Sequence, residues 1–120
     1  MYKVVLYKTE IGYCPFEVFI NDLRKDGSKQ DLEKIKLYIR LLEDNGEEII
    51  YNSNWAKKLN SVVYELRPRS NRILYFYCTS NNEYVLLHGF KKKTQKTPAE
   101  EIEKAIKEAS DYERRINNGK

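Results

Sequence analysis

Val62-Val63-Tyr64-Glu65-Leu66-Arg67, Arg72-Ile73-Leu74-Tyr75-Phe76-Tyr77-Cys78 and Tyr84-Val85-Leu86-Leu87-His88-Gly89-Phe90 follow one another with little between them. Each run is rich in the β-branched and aromatic residues that suit a pleated surface. Pro68-Arg69-Ser70-Asn71 and Ser80-Asn81-Asn82-Glu83 carry turn chemistry in the gaps. Connections this short join antiparallel strands, so the three runs predict a meander. The last two are apolar at nearly every position, which calls for protein on both faces of the sheet.

The segments on either side supply that cover. Tyr2 to Tyr7 reads as a first strand. Cys14-Pro15 opens a helix, since proline is well tolerated at the first helical position. Phe16, Phe19, Ile20 and Leu23 then recur at the spacing of one buried helix face, and Asp26-Gly27 ends it. Ser28 is a good N-cap for a second helix, with Asp31 in its first turn and Leu32, Ile35, Tyr38, Ile39 and Leu42 as its stripe. Asn45-Gly46 stops that helix. Glu47 to Asn60 reads as a loop leading to the sheet. Thr97 as cap and Pro98 as first residue start a last helix, whose face is Ile102, Ala105, Ile106, Ala109 and Ile116. The order β-α-α-β-β-β-α describes an α+β domain: a small, mostly antiparallel sheet against an N-terminal helical hairpin and a C-terminal helix.

The 120 residues suit a single domain spanning 1–120. No stretch approaches the roughly 18 consecutive apolar residues of a membrane span. The apolar run near Met1 is too short for a signal-peptide core, so a cytoplasmic protein with no membrane contact is expected. Cys14 and Cys78 are too few for a disulfide framework or a zinc cluster and read as small packed hydrophobes. With His88 as the one histidine, a His-based metal site is nearly excluded, and no cofactor is expected.

Charge is unevenly spread. Residues 57 to 96 carry nine basic side chains (Lys57, Lys58, Arg67, Arg69, Arg72, Lys91, Lys92, Lys93 and Lys96) against Glu65 and Glu83, in a chain of net charge +4. Such concentration is the footprint of a polyanion site, although a solvated basic face has the same composition. Arg67 leaves one strand and Arg72 enters the next, so the two guanidinium groups lie near each other and repel unless an anion sits between them. Glu65, on the same face of its strand as Arg67, can neutralise part of that charge. Lys91-Lys92-Lys93 ends the meander and Lys57-Lys58 enters it, so both can add to one surface. Tyr64, Tyr75 and Tyr77 lie on the same strands, where they either pack in the core or stack on bases. His88 has the side chain best suited to proton transfer near neutrality, but it sits in an apolar strand, where a buried, hydrogen-bonded histidine is the plainer reading.

Lys57-Lys58-Leu59, Tyr64-Glu65-Leu66-Arg67-Pro68 and Arg72-Ile73-Leu74-Tyr75-Phe76 together resemble the central signature of the phage-derived, HigB-like branch of the RelE/ParE toxin superfamily. Leu86-Leu87-His88-Gly89-Phe90-Lys91-Lys92-Lys93-Thr94-Gln95-Lys96-Thr97-Pro98 is similar to its second signature, and Glu101 through Ala105 continue the pattern of its C-terminal helix. The resemblance implies a RelE-like fold and the toxin of a type II toxin–antitoxin system. It implies a ribosome-dependent mRNA endonuclease that uses no metal and cuts by attack of a ribose 2′-OH on the adjacent phosphate. Arg67 and Arg72 would then clamp the phosphate, with Lys57, Lys92 and His88 as further catalytic candidates. Lys58, Arg69, Lys91, Lys93, Tyr64 and Tyr75 would contact RNA. The implied partners are a helix-turn-helix antitoxin, the ribosome and mRNA. Several members similar to RelE and HigB end soon after the last strand with an active-site Tyr or His. Here Lys93 to Pro98 leads into a long helix instead, with Tyr112 far along it. Two other readings share the fold: a ParE-like toxin that inhibits DNA gyrase without cutting RNA, and a prophage remnant that only binds its antitoxin.

Overall fold

Two long apolar strands form the centre of the molecule in a computed structural model that describes residues 1–119. β4 (Asn71–Cys78) and β5 (Glu83–Lys91) run antiparallel, and nearly every residue of β4 and the first six of β5 are buried. β3 (Tyr64–Leu66) pairs antiparallel with β4, and β2 (Ala56–Lys58) with β3. β1 (Lys3–Leu6) closes the other edge, parallel to β5, giving the order β1-β5-β4-β3-β2. The architecture is therefore α+β with a five-stranded mixed sheet. It holds one strand more than the chain pattern predicts, because the stretch read as a loop contains a 3-10 segment at Gly46–Tyr51 and then β2.

Helices cover both faces. α1 (Pro15–Lys25) and α2 (Lys29–Asn45) form the expected hairpin, and Phe16, Leu23, Ile35 and Leu42 pack with Leu66, Ile73, Tyr75 and Leu86. α1 lies close on β5 because Gly89 has no side chain: a Cβ there would fall 2.5 Å from the Phe19 ring. α3 (Ala99–Asn118) covers the opposite face, where Ala105 and Ala109 meet Val63, Leu74, Phe76, Val85 and Leu87. Ile106, expected on this buried face, is instead exposed. Cys14 and Cys78 are both buried and unbridged.

Capping differs from expectation at two helices. The Ser28 side chain makes no cap hydrogen bond, and α3 starts one residue late, with Pro98 as N-cap. The Thr97 hydroxyl, released from capping, reaches back into the sheet. A register shift between Leu74 and Tyr75 leaves Leu87 as an extra residue on β5. Leu87 and His88 consequently both turn toward α3, which strict alternation forbids. Among the described residues no helix is long and apolar enough to cross a membrane.

Candidate functional site

β3 and β4 bring two arginines to one carboxylate. Alternation along β3 sends Tyr64 and Leu66 to the α1/α2 side and Glu65 to the α3 side. There the Glu65 carboxylate lies 3.5 Å from Arg67 Nε and 3.9 Å from Arg72 Nε. The Thr97 hydroxyl donates to its other oxygen at 2.6 Å. Arg67 and Arg72 thus share a face, and the anion between them is the buried side chain of Glu65. Arg72 is itself buried, and its Nη1 donates to the carbonyls of Arg69 at 3.1 Å and Asn71 at 2.7 Å. Burial draws the Arg72 guanidinium below the usual arginine range; Glu65 opposes that shift and Arg67 adds to it. Arg67 is more open, with its side chain 26% exposed and its Nη1 donating to the Ser53 carbonyl at 2.9 Å.

Lysines flank this core unevenly. Lys57 stands opposite Glu65 in the β2–β3 register and is exposed on that same side. Lys58, one residue on, turns to the other face, where its Nζ lies 6.0 Å from the Tyr64 ring centroid. Lys92 is half-buried, its amide donating to the Ser70 carbonyl at 2.7 Å. Its side chain lines a small hollow with Arg72, Phe90 and Thr97, and exposed Lys93 and Lys96 stand at the rim. Among the described residues no carboxylate lies within ion-pair range of Lys57, Lys92, Lys93 or Lys96.

The remaining candidates lie elsewhere. Arg69 and Lys91 are held on the α2 side by Asp31, at 2.9 Å and 3.1 Å. Burial works to raise the Asp31 carboxyl, but hydrogen bonds from Lys91 and Asn71 and the charges of Lys91 and Arg69 hold it below the usual carboxylate range. Arg69 also takes a left-handed backbone, φ 58°, at the head of the β3–β4 turn. Tyr64 and Tyr75 stack on each other at 5.5 Å on the α1/α2 face, so the sheet itself separates them from Arg67 and Arg72. His88 is buried, with Nδ1 2.5 Å from Glu108 and Nε2 2.9 Å from Glu101, both on α3. Occupying both ring nitrogens removes it from contact with any substrate while α3 is in place.

The comparisons bear on this arrangement. A family model described as Phage derived protein Gp49-like matches residues 22–110. The chain belongs to that family. Gp49-like proteins are related to toxin–antitoxin toxins of the RelE/HigB type. A comparison with curated proteins finds no match. In this Gp49-like chain the matched span runs from the end of α1 into α3 and includes Lys57, Glu65, Arg67, Arg72, Lys92 and Thr97.

Several partners in the Gp49-like site escaped sequence reasoning. Glu65 was legible as a possible counterion for Arg67, but not as the shared ligand of both arginines and Thr97. Asp31 reads as a first-turn dipole residue, and nothing local shows that it binds two cations from across the molecule. Glu101 and Glu108, seven residues apart on α3, share a helix face with Ala105, and that spacing was the available signal that they meet one group. Among the described residues no cluster of metal-ligating side chains is present.

Proposed function

We propose that this chain is the toxin of a type II toxin–antitoxin system and acts as a ribosome-dependent mRNA endonuclease, with a helix-turn-helix antitoxin as its partner. The observation that carries the reading is the placement of Arg67 and Arg72 on one side of the sheet, with Lys57 and Lys92 beside them and, among the described residues, no carboxylate on either lysine. Arg67, more open than Arg72, would meet the scissile phosphate and stabilise charge as the 2′-oxygen adds. Arg72 would hold the strand ends that carry Arg67 and Lys92. Lys92 is the amine assigned to take the 2′-OH proton, and Lys57 the ammonium that gives a proton to the departing 5′-oxygen. The products would be a 2′,3′-cyclic phosphate and a free 5′-OH, with no metal taking part.

Two observations favour a second reading, a chain that binds its antitoxin but no longer cuts. Glu65 already fills the place between the arginines, and His88 is sealed by two glutamates. Induced expression followed by mapping of transcript ends separates the two. The nuclease reading expects growth arrest with new mRNA ends, and loss of both in Arg67→Ala and Lys92→Ala, whose cleavage should fall about 10²- to 10³-fold. Arrest with an unaltered set of transcript ends would refute it. No arrest, with a stable antitoxin complex, would support the second reading.

A further inference from the structure

The face of the sheet turned away from Arg67 and Arg72 carries a second built feature. Tyr2, Tyr64, Tyr75, Tyr77 and Tyr84 line a cavity of about 320 Å³, with Glu47 as the other lining residue among those described. The rings are set at angles to each other: Tyr75 and Tyr84 at 6.0 Å and 65°, Tyr2 and Tyr84 at 5.8 Å and 77°, Tyr77 and Tyr84 at 4.8 Å and 57°. Tyr75 and Tyr84 form the buried floor, and Tyr2 and Tyr77 are open to solvent at 46% and 36%.

The walls are held in place. The Tyr2 amide donates to the Glu43 carbonyl at 2.8 Å, and its ring lies on Gly46, whose φ of 59° and missing Cβ allow the contact. A Cβ at Gly46 would fall 2.5 Å from the Tyr2 ring. This end of the molecule is also acidic. Glu43, Asp44, Glu47 and Glu48 cluster at the C-terminus of α2, whose last turn contains no basic residue to offset the carbonyl end of the helix dipole. Lys58 lies over Tyr64 but outside the lining, and among the described residues no other Lys or Arg sits over a ring of this cavity. Burial, helped by neighbouring phenols and Glu47, pushes the Tyr84 hydroxyl up to about 12, so this phenol stays neutral.

We propose that this tyrosine cavity is a binding site for an arginine side chain presented by a partner protein. Aromatic faces attract cations through their quadrupole, and a flat guanidinium stacks on such a face as an ammonium does not. Glu47 at the mouth supplies a carboxylate that a guanidinium can pair with through two N–H groups. A nucleotide would bring its phosphate toward the Glu47 carboxylate, and charge weighs against it. The site is independent of the nuclease reading, because it lies across the sheet from Arg67, Arg72 and Lys92.

The test is an amide chemical-shift titration of the full chain with N-acetyl-arginine amide, its uncharged citrulline analogue and uridine monophosphate. The arginine compound should shift the amides of Tyr77, Tyr84 and Glu47, and the citrulline analogue should bind at least about tenfold more weakly. Glu47→Gln should weaken arginine binding about fivefold and Tyr77→Ala about tenfold, while Tyr77→Phe keeps it. Glu47 and Tyr77 are exposed, and the amide spectrum reports directly on whether each variant is folded. Equal binding of citrulline, indifference to both substitutions, or shifts at these amides from the nucleotide alone would overturn the proposal.

Discussion

The two faces of the sheet are covered by different chemistry. Against α1 and α2 the contact is mainly apolar, with Phe16, Leu23, Ile35 and Leu42 meeting Leu66, Ile73 and Leu86. Against α3 an apolar strip is ringed by charge: Glu101 and Glu108 take His88, Tyr112 meets Glu83, Tyr7 donates to Asp111 at 2.7 Å, and Thr97 meets Glu65. Apolar burial is insensitive to direction, whereas each polar contact must be satisfied by one particular partner. The α1/α2 face therefore supplies bulk stability, and the α3 face fixes where individual charged groups stand. The arginine pair belongs to the second face.

Removing one member of the buried charge set should break this contrast most severely. Arg72→Ala leaves Glu65 buried with Arg67 and Thr97 alone, and should lower unfolding free energy by about 3–5 kcal/mol. A urea melt within about 1 kcal/mol of the parent protein would show that the polar face is not organised around Glu65. Because of this expected loss, Arg72→Ala is a poor probe of chemistry, and Arg67 and Lys92 carry the functional test. On the apolar face the sensitive point is steric. Gly89→Ala drives a methyl into the Phe19 ring and should cost about 1–3 kcal/mol, while Gly89→Ala combined with Phe19→Leu recovers part of the loss. Failure of the second change to recover any stability would mean that α1 does not rest on β5 through this contact.

The smallest effect is electrostatic and touches both faces. Asp31 in the first turn of α2 and Asp111 on α3 are both held below the usual carboxylate range. For Asp111 the Tyr7 hydrogen bond leads, burial opposes it, and Arg115 and Arg114 add to the lowering. A carboxyl depressed in the folded state stabilises the fold above its unfolded value of about 4, and that contribution disappears as pH falls through the lower folded value. Both groups are partly open to water, so each should contribute less than about 1 kcal/mol. Asp31→Asn and Asp111→Asn should each flatten the acid limb of a stability–pH curve. An unchanged limb in both variants would remove these pairs from the account.

Much of this contrast was legible in the chain. The continuous apolar character of Arg72–Cys78 and Tyr84–Phe90 announced a sheet covered on both sides, and the Phe16 to Leu42 stripes named the cover on one side. β2 was not legible because three residues, two of them exposed lysines, produce no recognisable alternation. Its strand geometry nevertheless decides the chemistry, sending Lys57 to the arginine side and Lys58 to the tyrosine side. Likewise Tyr64 and Tyr75 share strands with the arginines yet face away from them, since neighbouring strand residues point to opposite sides. The orientation of His88 depended on a bulge that leaves no residue signature in Leu86-Leu87-His88.

Parallel pairing of β1 with β5 has a consequence for synthesis. Lys3 lies beside Glu83 and Leu6 beside Leu86, so β1 has no partner until about 80 further residues have been made. The carboxylate that joins the arginines also waits 32 residues for Thr97, and His88 waits 20 for Glu108. A nascent chain that stops short of β5 and α3 can therefore complete neither its sheet edge nor its charged face, and these surfaces are finished only after both elements have emerged.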